Sequence, residues 1–107
     1  MESHIMKLYD MARPKRIGKW GIMREIYLRD YDQEVYAELV RRGKLQEHLR
    51  MTDFQARERM AVLMDQGMKR LGITEDLKKR DQMEWIRQTN NLYHSAEENV
   101  KQELIYC

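Results

Sequence analysis

The chain has 107 residues and a formal net charge of +2, and 36% of its residues are charged. Globular domains usually carry ~25% charged residues, so the composition predicts one small helical domain with heavily charged outer faces. The one cysteine, Cys107, excludes an internal disulfide framework and a cysteine-rich zinc site, and no apolar run approaches the ~20 residues that span a bilayer. We therefore expect a cytoplasmic protein that does not enter a membrane.

The N-terminal segment, residues 1–16, is predicted to be a flexible lead-in. Its first six residues, "MESHIM", are typical of an expression remnant or an alternative start and carry no functional argument. A basic stretch follows, because residues 13–29 hold six cations against one glutamate, whereas residues 81–107 hold five acidic residues against two cations. The charge is therefore polarised along the chain.

Two short helices are predicted after Pro14. The first runs from about Lys19 to Asp30, and its apolar side chains fall on one arc at helical spacing: Trp20, Met23, Ile26, Tyr27 and Tyr31. Asp32 is placed to cap the second helix, and Gly43 is placed just past its end. That helix presents Val35, Tyr36, Leu39 and Val40.

A long central helix is predicted over residues 44–71. Its main stripe recurs every three or four residues: Leu45, Leu49, Thr52, Ala56, Met60, Leu63, Gly67 and Leu71. A second, interrupted apolar set lies roughly opposite: Met51, Phe54, Ala61, Val62 and Met68. A helix that is apolar on two sides needs two neighbours, which either a monomeric bundle or an antiparallel homodimer supplies.

The last long helix is predicted over about residues 82–106. Gly72 and Ile73 fit a glycine cap with its apolar contact, Thr74 starts a short helical turn, and Asp81 with Glu84 forms a capping box. One face of the last helix is apolar: Trp85, Ile86, Thr89, Leu92, Tyr93, Ala96, Val100 and Leu104. The predicted fold is therefore an all-α small helical bundle over residues 17–107, with two long helices preceded by two shorter ones.

Motifs for catalysis, metals and cofactors are missing from the sequence. His48 and His94 stand alone, Cys107 is terminal, and Ser95 has no Gly-x-Ser-x-Gly elbow around it. The five glycines form neither a Gly-x-Gly-x-x-Gly nor a Walker sequence. The sequence therefore predicts a protein that is not an enzyme and that has no catalytic, cofactor-binding or metal site.

Clustered cations are the feature that favours nucleic-acid binding. The candidate contacts are Arg13, Lys15, Arg16, Lys19, Arg24, Arg42 and Lys44. Basic N-terminal arms reach into grooves of DNA in other helical proteins, but solubility explains the same charges, and cations at helix C-termini also favour the dipole. No recognition helix is identifiable, because Leu45 and Leu49 at the start of the long helix lie on its core face.

A set of short motifs follows from Ile17 onward: "IGKWG", "YL" at Tyr27, "RGKLQEHL" from Arg42, "QARER" from Gln55, "GITEDLK" from Gly72, "DQMEW" from Asp81, "NN" at Asn90, "AEE" from Ala96 and "ELIY" from Glu103. With these motifs the chain resembles the TnpV family, small proteins encoded on mobile elements and transposons of Gram-positive gut bacteria. The resemblance implies a transposon-borne context and no catalytic signature. Residues 1–12 look unrelated to it, and "RPKR" lies just outside it.

Two functions follow as hypotheses. In the first, the protein is a non-catalytic accessory of a bacterial mobile element that contacts duplex DNA, or a DNA-bound recombination protein, through its basic N-terminal region. In the second, it is a helical adaptor or dimerisation module without nucleic-acid contact. That module would use the apolar residues Met51, Phe54, Val62 and Met68 as its partner interface.

Overall fold

The computed structural model describes residues 17–107, and these residues form helices without any strand. The helices are α1 (Lys19–Tyr31), α2 (Gln33–Arg41), α3 (Leu45–Leu71), α4 (Glu75–Arg80) and α5 (Gln82–Val100), and a π-helical turn (Lys101–Ile105) continues α5. The predicted all-α class, with two long helices after two shorter ones, is confirmed for this part of the chain. No helix in it is long and apolar enough to cross a membrane. The predicted lead-in, residues 1–16, lies outside the described residues.

Two compact units divide the chain within α3. The first unit runs up to Asp53 and contains α1, α2 and the start of α3, while the second unit is Phe54–Cys107. Each unit has buried apolar residues of its own. The described cations of the predicted DNA-binding set all belong to the first unit.

The core of the first unit forms where α1 meets α3. Leu28 and Leu49 are completely buried and Trp20 is 5% exposed, so the predicted position of Trp20 on the apolar arc of the first helix is confirmed. The predicted position of Tyr31 on the core arc is wrong, because its side chain is 78% exposed at the end of α1. The buried face is rotated toward Gly21, where an added Cβ would lie 2.9 Å from the carbonyl oxygen of Leu49. Because glycine has no side chain, the spacing of apolar residues could not reveal that this face of α1 is buried.

The N-terminus of α1 is capped from a distant part of the sequence. Its N-cap residue, Gly18, has no side chain to offer, and the N–H of Gly21 donates instead to Oδ1 of Asp53 at 3.1 Å. An added Cβ on Gly18 would lie 2.8 Å from the same oxygen. Both glycines of "IGKWG" are therefore explained by the close approach of α3 and its carboxylate.

Helix α2 is the least buried element of the first unit. It has no buried residue, and Val35 and Val40 are 39% and 51% exposed. Asp32 occupies the N-cap, but the predicted side-chain cap is wrong because its carboxylate accepts no capping hydrogen bond. The predicted stop at Gly43 is confirmed by its φ of +70°. A hydrogen bond from the N–H of Lys44 to the carbonyl of Leu39 closes the glycine cap.

The second unit has a longer apolar core. Its buried apolar side chains come from α3, α4, α5 and the connections between them: Ala56, Met60, Ile73, Leu77, Leu92, Ala96, Val100 and Ile105. Gly67 of α3 packs against α5, because an added Cβ would lie 2.4 Å from Cδ1 of Leu92. The predicted main stripe of the long helix is buried along most of its length, although its last residue, Leu71, is 50% exposed.

The end of α5 departs from the predicted face. Ile105 is completely buried and Leu104 is only half-buried, so the assignment of Leu104 as the last core position is wrong. The reason is the π-helical turn, in which the N–H of Tyr106 donates to the carbonyl of Lys101 at 2.9 Å. A π turn contains more residues than an α turn, so it brings the next residue onto the buried face.

The helix caps at Gly72 and Thr74 in the second unit agree with those predicted from the sequence. Gly72 has a φ of +70°, the N–H of Ile73 donates to the carbonyl of Met68, and Ile73 is buried, so the predicted glycine cap is confirmed. Thr74 Oγ1 accepts a hydrogen bond from the N–H of Leu77 at 3.2 Å.

The predicted capping box at the start of α5 is half confirmed. Oδ1 of Asp81 accepts from the N–H of Glu84 at 3.1 Å. The carboxylate of Glu84 accepts hydrogen bonds from Arg87 and Gln88 and not from the N–H of Asp81. The N–H of Asp81 donates to the carbonyl of Leu77 instead. The hydrogen bonds from Arg87 and Gln88 lower the pKa of Glu84.

Candidate functional site

The predicted DNA-binding cations are only partly described. Arg13, Lys15 and Arg16 lie outside the described residues, and Lys19, Arg24, Arg42 and Lys44 lie in the first unit. The ammonium of Lys19 lies 4.9 Å from the centroid of the Trp20 ring, next to the start of α1. Arg42 and Lys44 line an open groove that we call the basic groove, and Arg24 is hydrogen-bonded to His48, which also lines it.

The basic groove lies between the end of α2 and the start of α3 and has a volume of about 400 Å³. Its lining residues are Leu39, Arg42, Lys44, Glu47, His48 and Met51. The glycine cap at Gly43 reverses the chain here, and this reversal places the cations on either side of it next to the first turns of α3. Leu39 and Met51 add apolar surface, and Met51 is 53% exposed.

Arg24 reaches the basic groove from α1 through a hydrogen bond to His48. Its Nε donates to Nε2 of His48 at 3.2 Å, and its guanidinium carbon lies 5.8 Å from the centroid of the Tyr27 ring. Because Nε2 accepts this hydrogen bond, the imidazole carries its proton on Nδ1. Burial and the positive charge of Arg24 both lower the pKa of His48, so the imidazole is neutral at neutral pH.

The sequence describes His48 only as a histidine outside any metal-ligand motif, and its hydrogen bond with Arg24 is an additional contact. No sequence signal could have paired it with Arg24, because the two residues are 24 positions apart and lie on different helices. His94 differs, since its side chain is 74% exposed and has Glu97 as a neighbour at 3.8 Å on the same helix.

The cations on the rim of the basic groove have weak local partners. Arg42 Nε lies 3.9 Å from Glu38, and Lys44 Nζ lies 3.5 Å from Glu47. The side chains of Arg42 and Lys44 are 62% and 58% exposed, and such surface ion pairs contribute about 0–1 kcal/mol each. An incoming anion can replace these carboxylates at little energetic cost. The groove is therefore chemically suited to bind an anionic group.

The predicted partner-interface residues are distributed over both units. Met51 lines the basic groove of the first unit, and Phe54, Val62 and Met68 lie on the part of α3 that belongs to the second. Phe54 is 52% exposed, Val62 is 41% exposed, and Met68 is half-buried.

Metal-ligating side chains do not cluster in the described part of the chain. Residues 17–107 contain no group of three or more His, Cys, Asp or Glu side chains that could hold a metal ion. Cys107 is exposed and free of disulfide bonds.

Comparison with known proteins places the chain in a family. The model of the family described as "Transposon-encoded protein TnpV" matches residues 5–105. No curated protein and no solved structure matches the chain. The match begins before Ile17, so the interpretation of residues 5–12 as unrelated and of "RPKR" as outside the family is wrong, while residues 1–4 lie outside the match. Short motifs were too sparse in this segment to reveal the relationship. The chain belongs to the TnpV family of transposon-encoded proteins.

Proposed function

We propose that this transposon-associated protein is a non-catalytic accessory that contacts duplex DNA, or a DNA-bound recombination protein, through its basic groove and the preceding basic segment. One observation carries the proposal. The fold brings Arg24 of α1, through His48, to the groove that Arg42 and Lys44 line, although these residues are far apart in sequence.

Charge around the basic groove supports an anionic partner. Residues 41–51 contain four cations and one glutamate, and Arg24 adds a further cation from α1. Lysine and arginine that contact phosphates position a protein on DNA without reading its sequence, and they release counterions as they bind. A groove of this kind needs no nucleophile or metal, so the proposal includes no chemical step.

The test is a titration of a fluorescent DNA duplex with the protein at several salt concentrations. We expect measurable binding at low salt and a steep loss of affinity as salt rises, because each neutralised phosphate contributes about −0.9 to the slope of log K against log salt. Replacing Arg42 and Lys44 by Ala should reduce the magnitude of that slope by about 2.

A matched control comes from the second unit. Lys69 and Arg80 are exposed cations, each in an i, i+4 ion pair, and the variant Lys69→Ala with Arg80→Ala removes the same net charge from residues that do not line the groove. The control should bind almost as well as the unmodified protein. Absence of binding at low salt, or an equal loss in both double variants, would contradict the proposal.

The basic segment before α1 has its own variant. Replacing Arg13, Lys15, Arg16 and Lys19 together by Ala should abolish duplex binding, because four phosphate contacts are removed at once. If the quadruple variant binds like the unmodified protein while the groove variant does not, the groove alone makes the contact.

The alternative function is a helical adaptor or dimerisation module, and the exposure of Phe54 and Val62 on α3 favours it. Large apolar side chains that are exposed on one helix are a usual feature of helix-binding faces. Sedimentation velocity over a range of concentrations should then show twice the 13.1 kDa chain mass. Phe54→Glu should restore the monomer, whereas Met83→Glu, at a residue that is 77% exposed on α5, should leave the dimer intact. A monomeric mass at every concentration would exclude the dimer.

A further inference from the structure

The basic groove contains a side chain whose charge changes close to neutral pH. His48 is half-buried, lines the groove, and accepts a hydrogen bond at Nε2 from Nε of Arg24 at 3.2 Å. An unperturbed histidine titrates at about pH 6.5, whereas lysine and arginine keep their charge far above neutral pH. A change of pH near neutrality is therefore able to alter the charge of the groove through His48.

The hydrogen bond with Arg24 requires a neutral imidazole. A guanidinium group has only donors, so Nε2 of His48 must supply a lone pair. Protonation places a hydrogen on that lone pair and turns Nε2 into a donor. The two side chains would then be like charges at hydrogen-bonding distance. Protonation of His48 therefore breaks this hydrogen bond between α1 and α3.

Cations from two parts of the first unit favour the neutral form of His48. They are Arg24 from α1, and Arg42 and Lys44 from the connection between α2 and α3, which line the same groove as His48. Burial and the charge of Arg24 both lower the pKa of His48. The ring of Tyr27, also on α1, lies 5.8 Å from the guanidinium carbon of Arg24. Without a bound anion, these surroundings disfavour a further positive charge.

Carboxylates near the groove already have cations as partners. Glu47 is the one acidic residue among those that line it, and its carboxylate lies 3.5 Å from Nζ of Lys44. Glu38 of α2 lies 3.9 Å from Nε of Arg42. Within the described residues, neither carboxylate forms an ion pair with His48. An anion that enters the groove would supply the counter-charge that a protonated His48 lacks.

A phosphate group in the groove reverses the balance between the two forms of His48. An opposite charge within about 4–6 Å favours the charged form of an ionisable group, so a bound phosphate raises the pKa of this imidazole. The protonated ring has a donor on each nitrogen and carries a full charge, and both attract phosphate oxygens. Such coupling is reciprocal, because a proton that is favoured by the anion favours the anion by the same factor.

We propose that His48 makes anion binding in the basic groove dependent on pH, because protonation exchanges its hydrogen bond with Arg24 for a positive charge on the groove wall. Lower pH strengthens binding, and a bound phosphate group favours the protonated imidazole. This inference rests on the proposed function, since it concerns the regulation of the same groove. It adds an expectation that the fixed cations alone do not give, because lysine and arginine do not titrate in this pH range.

The first experiment measures the affinity for a fluorescent DNA duplex at fixed salt between about pH 7.5 and about pH 5.5. We expect the affinity to rise about fivefold as pH falls, which is the effect of one further charge about 4 Å from a phosphate in water. Circular dichroism at each pH checks that the protein stays folded.

His48→Gln is the variant that tests the origin of this rise. Its side-chain carbonyl is able to accept from Arg24 but does not titrate, so the rise in affinity should disappear. His94→Gln is the matched control, because the side chain of His94 is 74% exposed on α5 and does not line the groove. It should keep the full rise. Equal pH dependence in His48→Gln and in the unmodified protein would overturn the proposal.

Arg24→Gln tests the role of the partner charge. This variant keeps a hydrogen-bond donor and removes the positive charge that lowers the pKa of His48. We expect the rise in affinity to begin at a higher pH in the same titration. A rise at the same pH as in the unmodified protein would contradict the proposed exchange with Arg24.

The second experiment separates this coupling from the proposed DNA contact. Sulfate keeps both of its charges over this pH range, and NMR titration of the His48 imidazole at constant ionic strength measures its pKa with and without sulfate. A higher pKa in sulfate together with no duplex binding at any pH would support the coupling and contradict the proposed function. Duplex binding whose pH dependence does not involve His48 would do the reverse. A pKa of His48 that neither sulfate nor the duplex raises would overturn the proposal.

Discussion

The two units of this protein hold their helix ends in different ways. In the first unit, α1 begins at a glycine, and its cap is the carboxylate of Asp53, which lies 32 positions away from Gly21. In the second unit, Thr74 and Asp81 cap helices that begin at the next residue. The first unit therefore depends on a long-range polar contact, whereas the second unit is capped by its local sequence.

The first unit also has a smaller apolar core than the second unit. Trp20, Leu28 and Leu49 are the large buried apolar side chains of the first unit, and α2 contributes none. The second unit buries eight apolar residues from several elements. Burial of apolar area is the dominant favourable term in folding, so the first unit has less of it to offset the loss of any single contact. The following predictions test this difference, starting with the largest expected effect.

Removal of the long-range cap should cost more than removal of a local one. Asp53→Ala leaves the N–H of Gly21 buried without a partner and removes the helix cap, so we expect a loss of roughly 2–3 kcal/mol in the free energy of unfolding. Urea denaturation followed by circular dichroism measures it. Asp81→Ala, at the exposed cap of α5, should cost about 1 kcal/mol. Equal losses would remove the distinction between the units.

Alanine substitutions at the buried glycines Gly21 and Gly67 should also have different effects on stability in the two units. An added Cβ at Gly21 would lie 2.9 Å from a backbone carbonyl, which moves only with its helix, so Gly21→Ala should destabilise by about 1–3 kcal/mol. At Gly67 the near atoms belong to the flexible side chain of Leu92, and alanine gains about 1 kcal/mol in helix propensity. Gly67→Ala is therefore the control, and it should be closer to neutral. A larger loss at Gly67 would reverse the comparison.

One buried hydroxyl lies in the otherwise apolar core of the second unit. Thr89 Oγ1 is buried without a hydrogen-bond partner among the described residues. Thr89→Val keeps the shape of the side chain and removes the unpaired group, so stability should rise by about 1 kcal/mol. Differential scanning calorimetry should show a higher Tm. The comparison variant Thr74→Val loses the hydroxyl that caps α4 and should lower the Tm. A decrease for Thr89→Val would show that its hydroxyl has a partner.

The smallest effect is expected from pH at the basic groove. Burial and the charge of Arg24 lower the pKa of His48, so the unfolded chain takes up a proton before the folded one as pH falls. The contribution of neutral His48 to the free energy of unfolding is complete above ~6.5, the pKa of histidine in the unfolded chain. The free energy of unfolding then declines as pH falls from there through the lower pKa of His48 in the folded protein. Denaturation curves between about pH 7.5 and about pH 5 measure the decline. It should be smaller in His48→Gln than in the unmodified protein, and an identical decline in both would show that His48 makes no contribution.

Local signals in the sequence predicted most of the helices. Gly43 and Gly72 mark helix ends because only a few residues on either side form each cap, and Thr74 and Asp81 mark starts for the same reason. Apolar spacing also placed Leu92, Ala96 and Val100 on the buried face of α5, because a regular helix repeats the same face along its length.

The features that the sequence did not predict depend on contacts between distant residues or on irregular helix geometry. The pairing of Arg24 with His48 joins residues on different helices, and the π-helical turn that buries Ile105 breaks the 3.6-residue period. The candidate cations were identifiable by type, but the groove that Arg42 and Lys44 line was not. Propensity and periodicity report interactions within about one helical turn and say nothing about which turns come together.

By itself, the sequence determined the all-α class, most of the helix boundaries and the caps at Gly43, Gly72, Thr74 and Asp81, because each follows from residues within about one turn of the chain. Its family motifs likewise indicated the transposon-borne context. The tertiary structure alone decided that Asp53 caps α1 against two glycines, and that Arg24 bonds His48 in the groove that Arg42 and Lys44 line. The contacts of Asp53 with Gly21 and of Arg24 with His48 join residues on separate helices, and only the packing of those helices brings them within hydrogen-bonding distance.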